Sequence, residues 1–140
     1  MTDIKQPAKT QFEHSFSDDA PDSREMVEII TEALLSRKGK EITVLDVSEL
    51  TTLTDYFVVC HGTSDVQIKA LADAVEEDLQ KKMGEKAWKK EGLQGRSWVI
   101  LDFVNIVVHV MSKEKRDFYG IERMWNDADV TYIKDSDDEA

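Results

Sequence analysis

Hydrophobic residues recur at two different spacings along this chain, and the change from one spacing to the other divides it into helices and strands. Apolar residues three and four positions apart predict one helix between Asp22 and Gly39 and a longer one between Ser64 and Gly84. Asp22 and Ser64 are favourable N-cap residues, each followed three positions later by Glu or Gln, and glycine commonly follows a helix C-terminus. The pattern therefore predicts both ends of both helices.

Runs rich in β-branched and aromatic residues predict the strands. Residues 41–47 and 54–62 form two such runs, and residues 87–92 fit a short edge strand whose lysines discourage pairing with a second sheet. Residues 97–110, with the sequence SWVILDFVNIVVHV, predict a β-hairpin. Because helices and strands alternate, we expect an α/β fold with a mixed sheet of about five strands flanked by helices.

The segment KRDFYGIERMW after the hairpin predicts a further helix. Helical spacing places Phe118, Ile121 and Trp125 on one stripe. Gly120 interrupts this segment and costs the helix about 1 kcal/mol relative to Ala. We expect the stripe to pack against the sheet.

Both ends of the chain are polar and acidic. Residues 1–21 contain both prolines and residues 134–140 are mostly Asp and Glu, so we predict disordered tails on either side of one folded domain, residues 22–133. The formal net charge is −11. This charge disfavours direct binding to DNA or RNA, because phosphate backbones attract basic surfaces, and it leaves attraction to a basic protein open.

The chain shows no sign of a membrane span or a secretory signal. No run approaches the roughly 20 apolar residues that a span needs, and the N-terminus lacks an apolar stretch, so we expect a cytoplasmic protein. Cys60 is the single cysteine, which excludes an internal disulfide, and its apolar strand predicts that it is buried.

The hairpin carries three residues that a plain apolar hairpin does not need: an indole, a carboxylate and an imidazole. Strand alternation places Trp98 and Asp102 on one face and Phe103 on the other, plainer apolar face. A two-residue turn at 104–105 sets Asp102 opposite Val107, whereas a three-residue loop shifts this register by one. The turn is unusual because β-branched valine resists a positive φ. The first register gives a patch of Trp98, Ile100, Asp102, Val107, His109 and Met111.

Residue types that could carry chemistry are present but poorly arranged for it. Cys60, His109 and Asp102 could serve as nucleophile, base and orienting acid, yet nothing near Cys60 in sequence activates a thiol. Residues 62–64 end a strand and begin a helix, a geometry that can bind an anion. The simpler explanation is that these residues only end the strand and supply the N-cap of the helix. The three histidines are not spaced to share a metal ion. We therefore expect no cofactor and no metal.

Five stretches of the sequence together resemble one known family. They are LDVSELTTLTDYFVVCHGTS, ALADAVEEDL, the pair EG at 91–92, SWVILDFVNIVVHVM and RDFYGIERMW. In this order and spacing they are similar to the ribosomal silencing factors, also called Iojap-like proteins, over residues 26–125. The resemblance implies a nucleotidyltransferase-like sheet without a transferase site. This agrees with the sequence, in which the acids after the GTS turn lie on a helix and not as a magnesium-binding pair on a strand.

The resemblance also implies a partner and a mode of action. It implies a protein that is not an enzyme and that binds protein fourteen of the large ribosomal subunit, so that the small subunit cannot join and translation is restrained when nutrients run short. The family's aromatic contact residue corresponds to Trp98, and its nearby acid to Asp102. Two alternatives stay open: an enzyme of the nucleotidyltransferase type, and a module that forms homodimers through the same sheet face. We predict a partner-binding surface formed by Trp98, Ile100, Asp102, Phe103, His109 and Met111.

Overall fold

A six-stranded mixed sheet forms the centre of the molecule, and helices pack on both of its faces. The computed structural model describes residues 22–134. Its elements in chain order are α1 (Ser23–Ser36), β1 (Lys40–Asp46), β2 (Tyr56–Gly62), α2 (Asp65–Met83), β3 (Lys89–Glu91), β4 (Trp98–Asp102), β5 (Ile106–Ser112), α3 (Lys113–Tyr119), α4 (Ile121–Met124) and β6 (Asp129–Tyr132). The strand order is β3-β4-β5-β2-β1-β6. The predicted α/β class with a mixed sheet is confirmed.

The sheet is mixed because one central pair of strands is parallel. Among the described residues, β2 and β5 run parallel, and the other neighbouring strands pair antiparallel. The chain between β2 and β5 crosses one face of the sheet, where α2 lies beside α1. We call this side the helix face, and it holds the main core. Its fully buried large side chains are Met26, Ile30, Leu34, Ile42, Ile68, Leu71, Leu79, Leu101 and Ile106.

Three of the four predicted helix ends are confirmed. The exception is the C-terminus of α1, which ends at Ser36, and Lys38 with φ 65° takes the left-handed conformation in place of Gly39. Asp22 caps α1, where its side chain accepts a hydrogen bond from the backbone of the first turn. The Ser64 hydroxyl caps α2 and accepts from the Gln67 N–H at 3.1 Å. The Gln67 side chain in turn accepts from the Thr63 N–H at 2.7 Å, which satisfies a further donor before the helix. Gly84 ends α2 in the left-handed conformation, with φ 69°.

The hairpin adopts the two-residue turn. Asp102 pairs with Val107 across the two strands. Next towards the turn, the Phe103 N–H donates a hydrogen bond to the Ile106 carbonyl at 2.8 Å. Val104 has φ 75°, a conformation that β-branched residues rarely adopt. The Asp102 carboxylate offsets part of this strain by accepting from the Val104 N–H at 2.8 Å.

The helix predicted after the hairpin is broken in two, which corrects the sequence prediction. Gly120 has φ 56°, so it ends α3 and the chain restarts as the single turn α4. Because the break rotates the two segments relative to each other, Phe118 does not share a buried stripe with Ile121. Phe118 is 75% exposed, whereas Ile121 is buried and Trp125 is half-buried.

The sixth strand, β6, adds to the five expected from the sequence. It pairs antiparallel with β1 and sets Val130 opposite Leu45. Each residue of β6 is exposed, so the apolar alternation that would predict a strand is weak here. The predicted tails, 1–21 and 134–140, lie outside the described residues except for Lys134. No helix within residues 22–134 is long and apolar enough to cross a membrane.

Candidate interaction surface

The face of the sheet opposite the helix face is only partly covered. A small buried cluster of Leu45, Val59 and Met111 lies under Ile121 of α4. Beyond this cover, the strands present a half-open patch of mixed aromatic, aliphatic and polar side chains. We call this patch the hairpin face, and it consists of Phe57, Trp98, Ile100, Asp102, Val107 and His109.

Trp98 is half-buried and held by a polar and an aromatic contact. Its indole Nε1–H donates to His109 Nδ1 at 3.0 Å. Its ring also packs at a tilt on Tyr119, with 4.8 Å between ring centroids. The indole is therefore fixed in orientation, while part of its surface stays accessible to solvent.

His109 orients the indole as a neutral imidazole. It is 8% exposed, and burial lowers its pKa to about 4. Because an indole nitrogen can only donate, Nδ1 of His109 must accept, and the ring proton resides on Nε2. Phe57 packs edge-on against the same imidazole, with 5.5 Å between centroids. His109 supports Trp98 from behind and offers little surface of its own.

Asp102 has both a local role and a free oxygen. Its Oδ1 accepts a hydrogen bond from the Val104 N–H in the turn. Lys89 lies opposite Asp102 on the neighbouring strand, but its ammonium group pairs with Glu91 at 3.2 Å. Among the described residues no hydrogen bond is made to Asp102 Oδ2, and the side chain is half-buried at the edge of the patch. This oxygen is available to a cation on a partner.

Three of the six residues predicted to contact a partner, Phe103, His109 and Met111, are buried and offer little surface to it, which corrects that part of the expectation. Phe103 is 7% exposed and belongs to the helix face, because alternation along β4 turns it away from Trp98. Met111 lies on the same side as Trp98 but is completely buried beneath α4. Trp98, Ile100 and Asp102 remain accessible.

The fold brings three further aromatic residues to this surface, and sequence reasoning missed two of them, Phe57 and Tyr119. Phe57 arrives through the parallel pairing of β2 with β5, which places it beside Val107. Trp125 packs on Phe57 with 5.3 Å between centroids, and Tyr119 packs on Trp98. The stripe predicted for the last helix had already turned Trp125 towards the sheet. No signal in the sequence reveals which strand lies beside β5.

A buried arginine holds the covering segment in place. Arg116 of α3 is 5% exposed, and its guanidinium donates to Glu122 Oε2 at 3.0 and 2.6 Å, which joins α3 to α4. The same group donates to the Thr43 hydroxyl at 3.0 Å and contacts His61 Nδ1 at 3.0 Å, which joins both helices to the sheet. Buried charges need this degree of pairing to be tolerated. The network fixes the position of Tyr119 against Trp98.

The residues considered for nucleophilic catalysis are not brought together. Cys60 is fully buried on the helix face, whereas His109 lies on the opposite face of the sheet. Burial raises the pKa of the Cys60 thiol to about 12, so the reactive thiolate is not populated at neutral pH. Across residues 22–134 no group of three or more His, Cys, Asp and Glu residues is placed to hold a metal ion.

The fold and this surface define an α/β domain with a half-open patch of aromatic, aliphatic and polar side chains on one face of its sheet. Comparison with known proteins identifies the family: the family model for the ribosomal silencing factor during starvation matches residues 20–140, and the chain belongs to this family. The resemblance inferred from the sequence is thereby confirmed.

Individual relatives agree with this assignment. A Chromobacterium violaceum protein named ribosomal silencing factor RsfS is 41% identical over 102 residues, which cover 73% of this chain and 83% of that protein. The chloroplastic protein Iojap of Arabidopsis thaliana is 30% identical over 127 residues, 91% of this chain and 50% of that protein. The crystal structure of a Chromobacterium violaceum protein matches with a TM-score of 0.73 at 35% identity, over 86% of this chain and all of that one.

Proposed function

We propose that this protein binds protein fourteen of the large ribosomal subunit through the hairpin face and thereby prevents the small subunit from joining. In this mechanism the protein restrains translation under nutrient limitation by occupying a surface, without catalysing a reaction. Membership of the silencing family supports the ribosomal target.

The main support for the proposal is the fixed orientation and partial exposure of the Trp98 ring. Its ring is half-buried, fixed by the bond to His109 and by Tyr119, and still open on one side. A rigid aromatic group loses little conformational freedom on binding, and such residues often dominate the energy of an interface. Trp98 is therefore suited to anchor a macromolecular partner.

Asp102 and the charge of the chain support a basic partner. The free Oδ2 of Asp102 lies on the same strand face as Trp98, with Ile100 between them. The net charge of −11 repels RNA but attracts a basic protein, which accelerates encounter and orients docking more than it raises affinity. The negative charge of Asp102 and of the whole chain thus favours binding to a ribosomal protein over binding to ribosomal RNA.

The test is sedimentation of the purified protein with separated large and small subunits. We expect the wild-type protein to co-sediment with large subunits and not with small ones. Trp98→Ala should weaken this binding by about 30-fold, the loss that corresponds to about 2 kcal/mol at an interface anchor. Circular dichroism and thermal unfolding would verify that the variant is folded.

Tyr132→Ala provides the matched control. Tyr132 is an exposed aromatic residue on β6, at the opposite edge of the sheet from β4 and about 19 Å away across four strand spacings. Its truncation should leave co-sedimentation unchanged. Full binding by folded Trp98→Ala would remove Trp98 from the contact surface.

The blocking step needs its own measurement. With the protein in excess, mixing large and small subunits should yield fewer joined ribosomes, in proportion to the occupancy of large subunits. Joined ribosomes that still carry the protein would contradict a steric mechanism. The mass of the free protein in solution, measured with and without Trp98→Ala, would show whether a second copy competes for the same face.

A further inference from the structure

A cleft of about 500 Å³, lined by none of the six hairpin-face residues, lies at the carboxyl ends of the parallel strands β2 and β5. Gly62 and Ser112 end these strands, and α2 begins beside them after Ser64. In open α/β sheets, the crevice outside the carboxyl ends of the strands is the usual position for a small ligand. The volume lies within the ordinary range for small-molecule pockets.

Arg96 lines this cleft and has an unsatisfied donor. Its Nε is buried and has no hydrogen-bond partner within residues 22–134. Its guanidinium forms none of the ion pairs found in that part of the chain, unlike the fully paired Arg116. A buried donor without an acceptor lowers stability, and native structures rarely leave a buried donor unpaired. The Arg96 guanidinium therefore has no ion-pair partner within residues 22–134 and can pair with an anion in the cleft.

Two serine hydroxyls in the cleft are also free to donate. Ser64 Oγ accepts from the Gln67 N–H, and Ser112 Oγ accepts from the Lys115 N–H, each at 3.1 Å. In both bonds the hydroxyl serves as the acceptor, so its own hydrogen is not used. Both serines line the cleft. They offer two neutral donors beside the positive N-terminal end of the 19-residue helix α2.

The remaining charged and titratable groups make the cleft richer in donors than in acceptors. Lys113 lines it, and its contact with Asp117 at 3.1 Å is an exposed pair of small energetic weight. His61 lines it as well, and because Arg116 can only donate to His61 Nδ1, the imidazole retains a hydrogen on Nε2. Asp65 contributes the one carboxylate of the lining.

We propose that this cleft binds the phosphate group of a small phosphorylated molecule. A tetrahedral oxyanion would accept from the Arg96 guanidinium, from Lys113 and from the hydroxyls of Ser64 and Ser112. The ligand is a small molecule and not a polynucleotide, because the net charge of −11 disfavours a chain of phosphates at the surface. This site goes beyond the proposed ribosomal function and does not depend on it.

Isothermal titration of the full chain with inorganic pyrophosphate, at constant ionic strength, tests the site. We expect saturable binding by the wild-type protein. Arg96→Gln should weaken it by about tenfold or more, because it removes charge-assisted hydrogen bonds to the oxyanion. Lys113→Gln changes an exposed side chain that the fold does not require, and it should weaken binding by about threefold as an independent measure.

Arg24→Gln is the matched control. It removes the same group and the same charge, but Arg24 lies beside Tyr56 at the start of β2, about 20 Å from the cleft at the other end of that strand. Pyrophosphate should bind this variant as it binds the wild type. Absence of saturable binding up to about 10 mM pyrophosphate, a higher concentration than ordinary metabolite sites require, would overturn the proposal. Unchanged affinity for pyrophosphate in folded Arg96→Gln would also overturn it. A third contradicting result would be a short RNA without terminal phosphates that binds more tightly than pyrophosphate and depends on Arg96 in the same way.

Discussion

The two faces of the sheet are built on the same strands but differ in residue type and in cover. On β4, Val99 and Leu101 are fully buried on the helix face, while Trp98, Ile100 and Asp102 alternate with them and stay half-buried. The helix face is filled with aliphatic side chains that make no directional bonds. The hairpin face instead fixes its groups by hydrogen bonds and ring contacts. One strand thus supplies stability on one side and, in the function we propose, recognition on the other.

This difference implies that the faces respond differently to the same substitution. Burial of aliphatic groups contributes stability in proportion to the area removed from water. A half-open surface contributes less, because its side chains keep part of their solvent contact when the chain folds. Substitutions on the hairpin face should therefore affect binding more than stability, and those on the helix face the reverse.

The largest effect on stability is expected from Leu101→Ala. This change removes a fully buried side chain and leaves a cavity, which should lower the free energy of unfolding by about 3 kcal/mol. Ile100→Ala, one residue earlier and on the hairpin face, should cost about 1 kcal/mol. Urea unfolding of both variants measures the difference. Equal losses would contradict the division between the two faces.

A smaller effect is expected from pH, through His109. Burial holds its pKa at about 4 in the folded protein, against about 6.5 in an unfolded chain. Between these values the unfolded chain binds a proton that the folded chain does not, so stability rises with pH. From pH 7 to pH 5 this group should lower the free energy of unfolding by about 2 kcal/mol, and the loss should level off below pH 4.

His109→Asn separates this group from the others that titrate in the same range. Asparagine retains an acceptor for the Trp98 indole but has no proton to gain. The pH dependence of the variant should be shallower than that of the wild type by the amount assigned to His109. His61, whose pKa is lowered by burial and by Arg116, would still contribute in the same direction. Identical pH profiles would show that His109 is not held neutral.

The smallest effect is expected at the turn of the hairpin. Val104 adopts φ 75°, which costs a residue with a β-carbon about 1 kcal/mol. Val104→Gly should therefore raise the free energy of unfolding by about that amount, less the added flexibility of the unfolded chain. Val66→Gly, in the first turn of α2, should lower it by up to about 1 kcal/mol. A destabilised Val104→Gly would mean that the valine side chain has a role of its own.

Most of the helix face could be predicted from the sequence, because each of its elements carries a local signal. The capping serine and final glycine of α2 mark its ends, and its apolar residues repeat at helical spacing. The hairpin itself also has a local signal, but its register stayed open between a two-residue and a three-residue turn until the structure paired Asp102 with Val107. By contrast, β6 is short and exposed, and the broken helix depended on whether Gly120 would take a left-handed conformation.

The hairpin face was less predictable because its residues are joined by tertiary contacts. Trp98 and His109 lie on paired strands, so their contact could be inferred once the register was known. Phe57 and Tyr119 reach the same surface from β2 and α3, through a parallel pairing and a buried arginine network that leave no local pattern. Burial of Met111 likewise depends on how α4, which begins ten residues later in the chain, packs against the sheet.

The most direct test of the account is the dissociation constant for isolated large subunits, measured alongside the free energy of unfolding for Trp98→Ala, Leu101→Ala and Tyr132→Ala. We predict that folded Trp98→Ala loses affinity by about 30-fold, while Leu101→Ala loses stability and retains affinity wherever it is folded. Tyr132→Ala should lose neither. Unchanged affinity in Trp98→Ala, together with weakened affinity in folded Leu101→Ala, would contradict the claim that the hairpin face is the side that recognises the ribosome.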